Sequence, residues 1–168
     1  MLSLILFLLF PLLTASSSSF TSPLIQSTCN STTNYSLCIS TLKSEPNSLK
    51  ATNIEDLSKI SITISLSYAT NTSSYMLAPA PTMAGASALR TCAQRYGNAR
   101  EALQWALDAL GDENYDYAAV HLGAAAEYPG MCRALFQGLS YPAEVARRER
   151  ELKGLCQLDL DLVSLLSN

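Results

Sequence analysis

The sequence predicts an all-α, disulfide-stapled helical bundle, on three observations. Residues 88–168 are rich in Ala, Leu, Arg and Glu, with apolar residues recurring at three- and four-residue steps. Five cysteines are spread so that Cys29 and Cys38 form a close early pair, Cys92 and Cys132 each fall in a helix-like segment, and Cys156 is left near the end. The chain opens on an apolar leader, which points to an oxidising destination where bridges form and persist.

The leader comes first. Met1 to Leu13 is an apolar run that ends in the small residues Thr14-Ala15-Ser16, a pattern suited to cleavage between Ser16 and Ser19. It is shorter than the ~20 apolar residues a membrane span needs, and Pro11 interrupts it. Residues 1–18 are therefore expected to be a signal peptide, leaving residues 19–168 as one secreted domain with no membrane contact. Three sequons, at Asn30, Asn34 and Asn71, accord with that route and are candidate N-glycosylation sites.

Residues 16–87 are rich in Ser, Thr, Asn and Pro, and are harder to read. Ile60 to Tyr68 alternates apolar with polar residues, which by itself is a strand signal. A lone strand among helices would have an unpaired edge, so a helix is expected here instead, resting on Leu57, Ile60, Ile64 and Tyr68 with Ile62 and Leu66 on its flank. Residues 78–85 (Ala-Pro-Ala-Pro-Thr-Met-Ala-Gly) break the chain. The next helix carries the stripe Leu89, Cys92, Tyr96, Ala99, Leu103, Ala106, Leu107 and Leu110, and Gly111-Asp112 ends it. Another covers Tyr115 to Ala126, with its chain continuing through Cys132 to Phe136. Tyr141-Pro142 punctuates, and a last helix from Ala143 places Leu152, Leu155, Leu158, Leu162 and Leu165 on one face.

Composition and motifs exclude most chemistry. A net charge of −3 gives no broad basic face for nucleic acid. His121 is the only histidine, and no Gly-x-Ser-x-Gly elbow, Cys-x₂-Cys, His-Glu-x-x-His or phosphate-cradling glycine loop is present. His121 reads as a boundary or surface residue. Asp159 and Asp161, or Asp112 and Glu113, read as solvated helix ends rather than an acid–base pair. The run Arg147-Arg148-Glu149-Arg150-Glu151 reads as an exposed face or a polar contact surface. No catalytic residue, metal or cofactor is expected. Spacing alone leaves the cysteine pairing open, although pairing sequence neighbours is simplest. Such closures would contribute about 2.7 kcal/mol for Cys29–Cys38 and about 3.9 kcal/mol for Cys92–Cys132 in the loop-entropy model. Cys156, among Leu152, Leu155 and Leu158, reads as a buried free thiol.

Taken in order, these segments resemble the plant invertase and pectin methylesterase inhibitor family. Cys29-x₈-Cys38 is similar to its opening hairpin, and Ala88-Leu89-Arg90-Thr91-Cys92 followed by Tyr96 and Leu103 to its Ala-Leu-x-x-Cys helix start. Gly123-Ala124-Ala125 with Cys132 and Phe136, and Leu152-x-x-Leu155-Cys156, resemble its later helices. The resemblance implies a four-helix up-and-down bundle with an N-terminal α-helical hairpin extension, bridges Cys29–Cys38 and Cys92–Cys132, and a free fifth cysteine. It also implies a monomeric, non-catalytic protein of the apoplast, cell wall or vacuole that occludes the cleft of a carbohydrate-active enzyme one-to-one, commonly in a pH-sensitive complex. Tyr96, Asp116 and Glu127 are its candidate partner contacts. Invertase inhibitors of the family carry Pro-Lys-Phe before the third cysteine, where this chain reads Pro81-Thr82-Met83. The family's Ser-Ala-Ala-x-Thr reads Gly123-Ala-Ala-Ala-Glu127, and Tyr128-Pro129-Gly130 interrupts a helix that is usually continuous. Pectin methylesterase is therefore the first expected target and acid invertase the second. A bundle holding an apolar ligand between its helices is the alternative of another class.

Overall fold

The computed structural model describes residues 22–78 and 85–167. The expected signal peptide, most of the 78–85 break and the Pro81-Thr82-Met83 segment lie outside the described residues. Six α-helices follow in order: α1 (Pro23–Asn30), α2 (Tyr35–Lys43), α3 (Ile54–Leu77), α4 (Ala86–Gly111), α5 (Tyr115–Glu127) and α6 (Ala143–Ser164). Two 3₁₀ segments, Pro46–Lys50 and Tyr128–Phe136, join α2 to α3 and extend α5. Helices α3 to α6 form the four-helix bundle, with α3 against α4, α4 against α5, α5 against α6 and α6 closing on α3. Helices α1 and α2 make the N-terminal hairpin, clipped by Cys29–Cys38 with Cα atoms 5.5 Å apart.

The helix starts are written in the sequence. Ser22 Oγ, Asn34 Oδ1, Asn53 Oδ1 and Asn114 Oδ1 accept backbone N–H bonds at the starts of α1, α2, α3 and α5. Each satisfies a donor that the helix itself leaves unpaired. Asp56 strengthens the start of α3 by accepting from both the backbone N–H and the hydroxyl of Thr52, at 2.8 and 2.9 Å. The 3₁₀ turn from Tyr128 follows from Pro129, which cannot donate to the α ladder. Gly85, at φ +103°, opens α4 in a conformation that only glycine adopts without strain.

Two apolar cores result. The larger joins Ile62, Ala69 and Met76 of α3 to the expected α4 stripe, to Leu122 and Ala125 of α5, and to Leu152 and Val163 of α6. The smaller lies under the hairpin, where Ile25, Cys29, Cys38 and Leu42 meet Leu57 of α3 and Leu158 and Leu162 of α6. Leu165 is only partly buried, because α6 ends at Ser164.

Helix α3 is a helix, as expected, but its buried face is not the expected one. Leu57 is buried, whereas Ile60, Ile64 and Tyr68 are only half-buried. The centre of the inward face is polar and small: Ser58, Ser61, Ser65 and Thr72, with Ile62 and Ala69 beside them. At about 3.6 residues per turn, the apparent alternation becomes a serine-lined seam with isoleucines on both flanks. A pocket of about 540 Å³, open to solvent, lies on the outer flank of α3 over Ile60, Ile64 and Tyr68 rather than between the bundle helices.

Candidate functional site

The serine seam of α3 meets α6 at Asp159, which is fully buried. Ser61 and Ser65 donate their hydroxyls to its two carboxylate oxygens at 2.5 and 2.6 Å. Burial disfavours the charged form and raises the Asp159 pKa to about 7, against the opposing pull of the two serines. The expectation of a solvated Asp159 is therefore corrected: helical phase turns it inward, while Asp161 stays near the surface and accepts from the Thr33 N–H at 2.7 Å. Burial also pushes the thiol of Cys156 upward, reinforced by Asp159. In the structure Cys156 is buried and unbonded.

The charged run of α6 is likewise more structural than its sequence indicates. Arg147 pairs with Glu144 and Glu151, and Arg148 pairs with Glu144 at 2.7 Å. Arg148 reaches across to Thr72 and lies 4.2 Å from the centroid of the Tyr75 ring. Tyr68 donates to Glu151, so this stretch stitches α6 to α3.

Cys92 and Cys132 are both buried and lie in hydrogen-bonding contact, where the structure has two thiols rather than the expected bridge. Their shared hydrogen bond holds Cys92 below and Cys132 above the ordinary thiol value. The fold thus brings the pair together, and only Cys29–Cys38 is bonded.

Of the three candidate partner contacts, Tyr96 is corrected. It is 0% exposed in the main core, facing inward on the α4 stripe, and cannot touch a partner. Its hydroxyl is buried without a hydrogen-bond partner. Asp116 and Glu127 are both exposed on α5. Their spacing is three helical turns, which sets them on one face about 16 Å apart. Val120, 65% exposed, lies between them. Asp116 also occupies the first turn of α5, where a carboxylate favours the helix dipole. Asn30, Asn34 and Asn71 are exposed, and the side-chain oxygen of Asn34 caps α2.

A second surface feature has no motif in the sequence. Trp105, 53% exposed on α4, and Tyr117, 54% exposed on α5, flank His121 with ring centroids 5.2 and 4.4 Å from it. His121 is half-buried between them, at the boundary position expected for it. The available signal was phase: Trp105 falls off the apolar stripe between Leu103 and Ala106, so so large a ring had to face outward.

Among the described residues no group of His, Cys, Asp and Glu is gathered to hold a metal, and no helix is long and apolar enough to cross a membrane. The bundle carries a stapled hairpin and exposes acidic and aromatic side chains on α4 and α5. Residues 23–162 match the model of the plant invertase/pectin methylesterase inhibitor family, and the chain belongs to that family. It is accordingly an enzyme inhibitor by kind and not an enzyme. It is 39% identical over 159 residues to pectinesterase inhibitor 28 of Oryza sativa subsp. japonica, covering 86% of this chain and 70% of that one. It is 36% identical over 169 residues to cell wall / vacuolar inhibitor of fructosidase 2 of Arabidopsis thaliana, covering 93% of each. In fold, it is similar to the crystal structure of a mutant form of an Arabidopsis pectin methylesterase inhibitor, with a TM-score of 0.66 and 22% identity over 86% of this chain and 97% of that one.

Proposed function

We propose that this protein is a secreted inhibitor of pectin methylesterase that docks one-to-one over the substrate cleft and presents the α5 face bearing Asp116 and Glu127. The observation that carries the reading is family membership across nearly the whole mature chain, together with a rice relative named for pectinesterase inhibition. The departure at Pro81-Thr82-Met83, without the lysine and the aromatic ring of Pro-Lys-Phe, weighs against invertase. Carboxylates at a docking face favour a partner surface of opposite charge and make the association salt-dependent. The protein acts as a monomer in the apoplast, after cleavage of residues 1–18. There the adjacent Cys92 and Cys132 thiols oxidise to a second bridge, and glycans occupy exposed sequons.

A second reading, inhibition of a cell-wall or vacuolar acid invertase, is favoured by the Arabidopsis relative, which aligns along almost the full length of both chains. Parallel titrations of the two enzyme classes with the purified oxidised protein separate the readings. Loss of methylesterase activity alone supports the first, and loss of invertase activity alone replaces it with the second.

A further inference from the structure

We infer that the pocket between the end of α4 and the start of α5 receives a cationic side chain, lysine or arginine, projecting from the target enzyme. This rests on the inhibitor reading above and names the chemistry that one part of the docking surface recognises. Trp105, Tyr117 and His121 wall the pocket, with Asp108, Asp112 and Asn114 at its rim, enclosing about 380 Å³. Two observations point to a cation.

The first is charge. From Glu101 to Cys132 the chain holds six acidic residues (Glu101, Asp108, Asp112, Glu113, Asp116 and Glu127) and no lysine or arginine. Among the described residues no ion pair reaches Asp108 or Asp112. Asp108 Oδ1 accepts only from the neutral Gln104 amide, at 3.0 Å. Two carboxylates at the mouth of one pocket, with no local cation, attract a positive group and repel acidic pectin.

The second is the aromatic wall. Trp105 and Tyr117 are each about half-exposed, and such rings bind an ammonium or guanidinium within about 6 Å of their faces. Tryptophan and tyrosine anchors beside desolvated charges are the residues on which interface energy concentrates. His121 Nε2 is a buried polar atom of the wall without a hydrogen-bond partner. A neutral sugar would stack on the rings but leave both carboxylates uncompensated, which is why the cation is the better fit.

Trp105 is the only tryptophan in the chain, so its fluorescence reports on this pocket directly. In the first arm of the test, quenching by caesium and by iodide is compared in the intact oxidised protein. Caesium should quench about two-fold more strongly, and Asp108→Asn with Asp112→Asn should abolish the difference. Equal quenching in the wild type would overturn the proposal.

The second arm uses whichever pectin methylesterase or acid invertase the wild type inhibits. The double variant should weaken inhibition about ten-fold or more and flatten its salt dependence, and Trp105→Ala should weaken it similarly. Circular dichroism checks that both variants remain folded; these positions are exposed or at the surface, so a folded protein is expected. If the wild type inhibits and the folded double variant inhibits equally well, the pocket assignment fails and the inhibitor reading survives. If the wild type inhibits neither enzyme class, the inhibitor reading fails and takes the pocket's partner with it. A Trp105 response to neutral oligosaccharide but not to a tryptophan-free arginine peptide would reassign the pocket to sugar.

Discussion

The buried Asp159 should make this protein more stable in acid than at neutral pH, and a single substitution should remove most of that dependence. Its carboxyl titrates near 3.8 in the unfolded chain and at about 7 in the fold, so between those values the folded state holds a proton that the unfolded state has released. Stability therefore falls as pH rises through the window, by about 1.4 kcal/mol per unit while one proton separates the states. The full window sets an upper bound of about 4 kcal/mol, a large share of the ~5–15 kcal/mol typical of a domain. Asparagine keeps the shape and can still accept from Ser61 and donate to Ser65, but it cannot ionise. Urea unfolding of wild type and Asp159→Asn at about pH 4.5 and about pH 7.5 checks this, since wild type should lose stability between them and the variant should stay nearly level. Glu144, whose pKa is held down to about 2 by Arg147 and Arg148, titrates below this window and acts in the opposite sense. Equal pH slopes in the two proteins would refute the reasoning and mean that water or another group neutralises Asp159.

Other outcomes follow from single sites. Ser61→Ala removes one of the two donors to Asp159, so the carboxyl pKa should rise further, and the fold should lose about 1–3 kcal/mol in chemical unfolding at neutral pH. Tyr96→Phe deletes a buried hydroxyl without a partner, so thermal unfolding should occur at an unchanged or higher temperature rather than a lower one. Gly85→Ala places a Cβ 3.3 Å from Phe136 Cε1 at φ +103°, and should cost about 1–2 kcal/mol in urea unfolding. Cys29→Ser opens the hairpin clip and should cost about 2.7 kcal/mol by the same assay, with reductant costing the oxidised wild type more because it also opens the proposed Cys92–Cys132 bridge.

What was legible in the sequence follows a physical divide. Helices α4 and α6 announce themselves because large apolar residues repeat at helical steps: Cys92, Tyr96, Ala99, Leu103 and Leu110 in one, Leu152, Leu155, Leu158 and Leu162 in the other, all buried. The buried face of α3 was hidden for the opposite reason. Pattern reading counts serine as solvent-facing, but Ser61 and Ser65 are paired with a carboxylate on another helix nearly a hundred residues away. Neither partner reveals the other in sequence. The start of α3 was legible in Asn53-Ile54-Glu55-Asp56, a cap followed by first-turn acids, which would have outweighed the alternation that follows. For the site, Asp116 and Glu127 lie where helical phase sets them, whereas Tyr96 shows that a residue on an apolar stripe belongs to the core before it belongs to a partner. The Trp105 pocket needed the turn at Glu113, whose positive φ folds α5 back so that Tyr117 and His121 come beside α4.

Occupation of the pectin methylesterase cleft by this chain is open to direct measurement. Titrating methylesterase activity on pectin at mildly acidic pH with the purified oxidised protein tests it most directly. Activity should fall linearly and end at one equivalent of inhibitor. Undiminished activity at large excess, with acid invertase inhibited in the parallel titration, would contradict it.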